Sequence, residues 1–141
     1  MRTLTTVVML MSVMAAGEIV MAEGNLSRRP VALPELELAT QDGFGISQTE
    51  YQIETGKAYK LEIRSTGIEE CAFRADEFFR NIWLRKVEAG GLEIKAAQLN
   101  ELEFETEAEV EIFFVPIKPG RYPYGCKGLE DRGLSGLFIV R

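Results

Sequence analysis

Short runs in which apolar and polar residues alternate, each closed by turn residues a few positions later, restrict this chain to β structure. Tyr59, Leu61 and Ile63 alternate with Lys60, Glu62 and Arg64, the period of a strand with one buried and one wet face. Leu36 and Leu38 share a face before the turn signal Gln41-Asp42-Gly43, and Tyr51 and Ile53 precede Thr55-Gly56-Lys57. Gly90-Gly91 reads as a turn into a strand over 92–97, after which Leu102, Phe104 and Thr106 alternate with Glu101, Glu103, Glu105 and Glu107. A strong strand runs to Val115, and Lys118-Pro119-Gly120 turns the chain into the strand that delivers Cys126. The exception is 76–84, dense in helix formers, with Phe78, Ile82 and Trp83 at roughly helical spacing; it reads as a short helix or tight loop. These signals predict an all-β sandwich of about seven short strands with one short helix or loop insertion.

The chain has 141 residues, enough for one domain with a real core. Residues 1–22 carry one Arg, an apolar run from Leu4 to Ala16, and small residues ending at Ala22. That is the pattern of a secretory signal peptide, too short and too interrupted to span a bilayer. The division expected is a signal at 1–22, a flexible leader at 23–34 with two prolines, and a domain at 35–141, periplasmic or secreted and with no membrane span after cleavage. All five methionines fall in the signal and the chain has no histidine. The mature domain therefore owns neither thioether nor imidazole. Its net charge of −6 disfavours phosphate backbones, so no nucleic acid is expected as a partner. Two cysteines, Cys71 and Cys126, in an exported chain point to a disulfide.

The most informative stretch is 121–140, RYPYGCKGLEDRGLSGLFIV, which reads as strand, loop and strand with a cysteine at the loop mouth. Its spacing resembles the copper loop of the cupredoxins, in which a strand ending in Tyr delivers C-x-x-H-x-x-x-G-M-x-G. Cys126, Gly133 and Gly136 match; Leu129 stands at the His position and Leu134 at the Met position. The run YQIETGKAYKLEIRSTG also resembles the strand pair that precedes the first copper ligand, and STGIEECAF laid over that ligand segment puts Gly67 on the Gly, Cys71 on the His and Phe73 on the Phe. Lys118-Pro119-Gly120-Arg121-Tyr122 is similar to a phrase of the EfeO-type or iron-permease-associated cupredoxin-like domains. The resemblance implies a Greek-key β-sandwich and both cysteines at metal-ligand positions, hence close in space. It implies a Cys71–Cys126 disulfide packed against Phe73, Leu129 and Leu134, with a redox-cycling pair and a two-thiolate site for a soft metal such as Cu(I) as the other readings. Type 1 copper needs two imidazoles besides the thiolate, so no such centre is expected.

Glu69, Glu70, Asp76, Glu77, Glu130 and Asp131 flank the two cysteines. In a cupredoxin-like fold they would gather into an acidic rim, able to hold a hard cation such as iron or to dock a basic surface. The metal therefore stays open between copper, iron and none. The function expected is metal-ion binding or handling, or electron transfer, beside a transport or redox protein with a basic docking surface. The alternative is a disulfide-stapled binding or structural module that has lost its metal. No enzyme is expected: there is no histidine, no serine in a nucleophile elbow and no phosphate-binding glycine loop.

Overall fold

The computed structural model describes residues 28–141; the expected signal peptide lies outside them. Eleven strands, numbered along the chain, and one helix, α1 (Asp76–Arg80), are found among the described residues. The first sheet has the order β1 (Val31–Ala32), β4 (Tyr59–Ser65), β9 (Ala108–Pro116), β6 (Ile82–Ala89), β7 (Leu92–Ile94), with β2 (Leu36–Leu38) also paired to β4. The second has the order β3 (Glu50–Ile53), β11 (Ser135–Val140), β10 (Gly120–Cys126), β5 (Cys71–Arg74), β8 (Glu101–Phe104). The chain crosses repeatedly between sheets, so long-range contacts hold most elements. The sandwich is the predicted one, with more strands than the alternation revealed.

The strands beyond that reading are β1, β5 and β6, of two, four and eight residues. Val31–Ala32, inside the expected leader, pairs parallel to β4: Val31 donates to the Ala58 carbonyl at 2.8 Å and Leu33 to the Lys60 carbonyl at 2.9 Å. β1 and β2 form one edge strand broken between them at Pro34, which has no N–H to donate. Two residues are too few to display a period, which is why alternation does not find β1. β3 and β4, adjacent in sequence, are not a hairpin but belong to different sheets. The turn between them is tied at both sides, Thr55 donating to the Arg141 carbonyl (2.8 Å) and Gly56 to the Pro116 carbonyl (2.9 Å).

Where alternation is long, it places the core. From β4, Tyr59, Leu61 and Ile63 point inward to meet Val110, Ile112 and Phe114 of β9, and all are buried. Phe73, Tyr122, Tyr124, Phe138 and Val140 come from the second sheet. The helix plugs one end. Its five residues make one turn, which burial must hold in place since an isolated turn is unstable. Asp76 and Glu77 lie in its first turn and Arg80 in its last, as the helix dipole favours, and Asn81 closes it through a bond to the Phe78 carbonyl. Phe78, fully buried, stacks on Phe138 at 4.0 Å and meets Phe114 edge-on at 5.3 Å. One side chain thus touches both sheets. The helix ends at Arg80 rather than continuing through Leu84, because Ile82, Trp83 and Leu84 pair with Pro116, Val115 and Phe114 on β9. A β-branched and aromatic run gains more from that ladder than from a second helical turn.

Three buried tyrosines keep their hydroxyls bonded to backbone carbonyls: Tyr51 donates to Pro34 (2.8 Å), Tyr122 to Lys118 (3.0 Å) and Tyr124 to Gln48 (2.7 Å). Burial, and next to it Glu35 for Tyr51, pushes the Tyr51 phenol well above its ordinary range; burial also raises Tyr124 and Tyr122. A phenol whose folded pKa is raised stabilises fully below its unfolded pKa and loses that stability as pH rises beyond it.

Replacing Phe78 by Ala is expected to cost about 3–5 kcal/mol, the range for truncating a buried Phe, read as a lower midpoint in urea unfolding. Stability should hold up to about pH 10, the ordinary tyrosine pKa, and fall above it. Absorbance of the phenolate band should then rise with unfolding; free titration of Tyr51 and Tyr124 in the folded protein would contradict their burial.

Candidate functional site

Cys71 opens β5 and Cys126 closes β10, and these strands are antiparallel neighbours in which Cys126 pairs with Phe73 and Gly125 with Arg74. The two Cα atoms are 5.1 Å apart and the sulfurs are bonded, joining positions separated by 55 in sequence. Both residues are completely buried. The expected disulfide is therefore present, with no free cysteine among the described residues.

Backbone bonds fix the loop that closes over it. Lys127 donates to the Ala72 carbonyl (3.0 Å) and Cys126 to the Leu134 carbonyl (2.9 Å), so the loop leaves and returns at the same point. Within it, Leu129 donates to the Cys126 carbonyl (2.9 Å) and a 3₁₀ turn over Glu130–Arg132 ends at Gly133, whose φ of 84° is left-handed and suits glycine. Leu134 is fully buried and Leu129 packs against the core. Gly125 permits the close return, since a Cβ there would lie 2.4 Å from the Leu134 carbonyl oxygen. On the outside, Arg132 sits over the Phe44 ring at 4.4 Å and bonds Glu69 at 3.3 Å, clamping three loops together. Phe44 and Arg132 were not singled out from the sequence: nothing in local spacing shows that these loops meet.

The six carboxylates do not form one rim. Glu69, Glu70, Glu130 and Asp131 belong to loops at the disulfide end, and Glu69 is engaged by Arg132. Asp76 and Glu77 lie on α1, beyond the far end of β5, where the helix packs on Tyr122 through Phe78 at 5.9 Å. There Asp76 is bonded to Arg74 and Glu77 to Arg80, each at 2.7 Å. No three His, Cys, Asp or Glu residues come together in a way that could hold a metal ion among the described residues.

The donor set does not fit a type 1 copper ion. Of the four positions implied by the resemblance, Cys71 and Cys126 have spent their thiols on each other, and Leu129 and Leu134 present only carbon. A surface depression of about 370 Å³ lies elsewhere, on the outer face of the first sheet, bordered by Glu62, Glu88, Glu109, Glu111 and the Gly90-Gly91 turn.

No family model matches the sequence, and no curated protein matches it. Solved structures do. A multicopper oxidase from Campylobacter jejuni, described as a metallo-oxidase, is 16% identical, aligning 82% of this chain with 31% of its own at a TM-score of 0.57. The McoA multicopper oxidase of Aquifex aeolicus is 13% identical over 79% of this chain and 29% of its own, at a TM-score of 0.61. Auracyanin A, a blue copper protein from Chloroflexus aurantiacus, is 14% identical over 80% of this chain and 100% of its own, at 0.51. The chain spans about a third of the length of the oxidases. At such identities the likeness is one of fold, and on that ground this chain is a cupredoxin-like β-sandwich, built on the fold of copper proteins.

Proposed function

We propose that this protein is an exported cupredoxin-like module that has exchanged its metal for a disulfide and acts by binding or as a structural element, without catalysis. The observation that carries this reading is the buried Cys71–Cys126 bond with Leu134 sealed beside it. A disulfide sulfur, bonded to carbon and sulfur, has no thiolate to offer a metal, and the leucine side chain has no lone pair. Export is supported by the N-terminal signal pattern and by a structural disulfide, which oxidising compartments maintain. The second reading is metal handling or electron transfer beside a transport or redox protein with a basic surface. It is favoured by the fold shared with auracyanin A and the oxidases, and it requires either a reduced cysteine pair or the exposed Glu130 and Asp131.

The two readings separate on metal binding. The air-purified protein should retain no stoichiometric copper or iron after desalting and show no intense blue band with Cu(II). A stoichiometric metal on the native protein would favour metal handling, and Cu(I) captured only after reduction would favour a two-thiolate site.

Alkylation without reductant should label neither cysteine. Loop-closure entropy over a separation of this order gives the disulfide about 4 kcal/mol. Cys71→Ser should accordingly cost roughly 2–5 kcal/mol and lower the melting temperature, with reduction of the native protein causing a similar fall. A Cys71→Ser protein that melts like the native one would remove the disulfide from its structural role.

A further inference from the structure

The outer face of the first sheet carries charge sorted into rows. Glu62 of β4 pairs with Glu111 of β9, Glu111 with Glu88 of β6, and Glu88 with Glu93 of β7, so four carboxylates lie directly opposite one another across four strands. One pair of residues along, Lys60 of β4 and Lys86 of β6 flank Phe113 of β9. Extending the Val87–Ile94 pairing by one residue places Lys95 beside Lys86. The acidic row therefore ends on β7 and the basic row on Lys95, the residue that follows it.

β7 is the last strand of its sheet, and no other described strand pairs with its outer side. The hairpin turn Gly90-Gly91 has both φ angles positive, 53° and 79°, as a two-residue primed turn requires. In such a hairpin the flanking residues Ala89 and Leu92 form a hydrogen-bonded pair, and the pattern alternates along the strand. The N–H and C=O of Glu93, and of Lys95 where the strand direction is continued one residue past Ile94, therefore point away from β6, while those of Ile94 point toward it. On the inner face Leu92 and Ile94 are 67% and 43% exposed. The edge offers unpaired backbone groups, two uncovered apolar side chains and two opposite charges.

We propose that β7 pairs antiparallel with β7 of a second copy of this chain, about a two-fold axis at Ile94. The pairing must oppose outward-pointing residues, so the axis can fall on residue 93, 94 or 95 among the nearby choices. An axis at 93 sets Glu93 against Glu93, and one at 95 sets Lys95 against Lys95. Only the axis at 94 opposes Glu93 to Lys95 twice, in hydrogen-bonded pairs. It also brings the two Ile94 side chains together in a close, non-hydrogen-bonded pair and covers Leu92. The rows then continue across the junction: Glu62, Glu111, Glu88 and Glu93 of one copy meet Lys95, Lys86, Phe113 and Lys60 of the other, and the reverse. Self-complementarity of this kind is what an isologous interface needs, and opposite charges directly across a strand pair are favourable. The surface covered is small, so the association is concentration-dependent.

Sedimentation of the native protein over a wide concentration range should show a monomer–dimer equilibrium. Glu93→Lys and Lys95→Glu each place like charges across the axis, and each variant alone should remain monomeric, with circular dichroism unchanged because both residues are exposed. Mixing the two single variants should restore a dimer, since one strand then carries two lysines and the other two glutamates; so should the double exchange within one chain. Ile94→Cys should cross-link in air much faster than Leu92→Cys, because the paired Cα atoms at the axis would be about 4.5 Å apart, within disulfide reach. A dimer that survives both single reversals, a mixture that stays monomeric, or equal cross-linking at 92 and 94 would each overturn the proposal. So would a native protein that stays monomeric at every concentration.

Discussion

The second sheet is joined along a very short seam. β10 and β11 share six paired positions, and β5 and β8 share four, but β5 meets β10 through only two, Gly125 with Arg74 and Cys126 with Phe73. Two pairs of a ladder are a weak connection between two halves of a sheet. The Cys71–Cys126 bond lies at this seam and makes it covalent. Phe73 reinforces it from within, meeting Tyr124 of β10 at 5.9 Å and Phe79 of the helix at 6.4 Å. A bridge at the seam also occupies the end of the sandwich where the resemblance expects metal ligands. A metal that ties β5 to the β10 loop and a disulfide that does the same solve one mechanical problem by two chemistries. The fold can therefore stand without a metal donor set at that end.

Filling that end with carbon has a consequence for the loop around it. A coordinated ion would hold the Cys126 loop through its ligands. Here the same loop is held by backbone bonds among Cys126, Leu129, Arg132 and Leu134, by the buried Leu134 side chain, and by Arg132 reaching to Phe44 and Glu69. Such a loop is held in place without a ligand, and its surface is the outside of the clamp rather than an open coordination position. Phe44 is 49% and Ile68 58% exposed there, beside Glu130 and Asp131.

Much of this was legible because long strands display their period. Residues 59–64 name the core residues of β4 on inspection, 108–115 show a strand, and the tight C-x-x-L-x-x-x-G-L-x-G spacing carries the closing hairpin. What stayed hidden was set by contacts distant in sequence. Nothing local tells β3 to pair with β11, 87 positions from Glu50 to Leu137, rather than with β4. Ile82-Trp83-Leu84 has acceptable helical spacing and becomes strand only because β9 offers a ladder. The carboxylates flanking the cysteines in sequence separate in space because β5 carries the chain away from Cys71 before Asp76 and Glu77 arrive.

Glu62 was legible on the wet face of its strand, but not the alignment of the four glutamates, which depends on the registers of three strand pairs at once. Like charges set directly opposite are unfavourable, and the sheet relieves them from within: Lys60 bonds Glu111, and Lys86 bonds both Glu88 and Glu93. Those bonds hold the two lysines protonated to higher pH than usual, and Lys95, then Lys86, hold the Glu93 carboxyl below its ordinary range. The compensation is diagonal, each lysine reaching across from its own row, and it runs out at the edge. Among the described residues Lys95 has just Glu93, two positions before it, as an ion-pair partner. A sheet that balanced charge residue by residue would leave nothing for a neighbour to complete; one that sorts charge into rows and exposes their ends leaves an edge whose best complement is its own reversed copy.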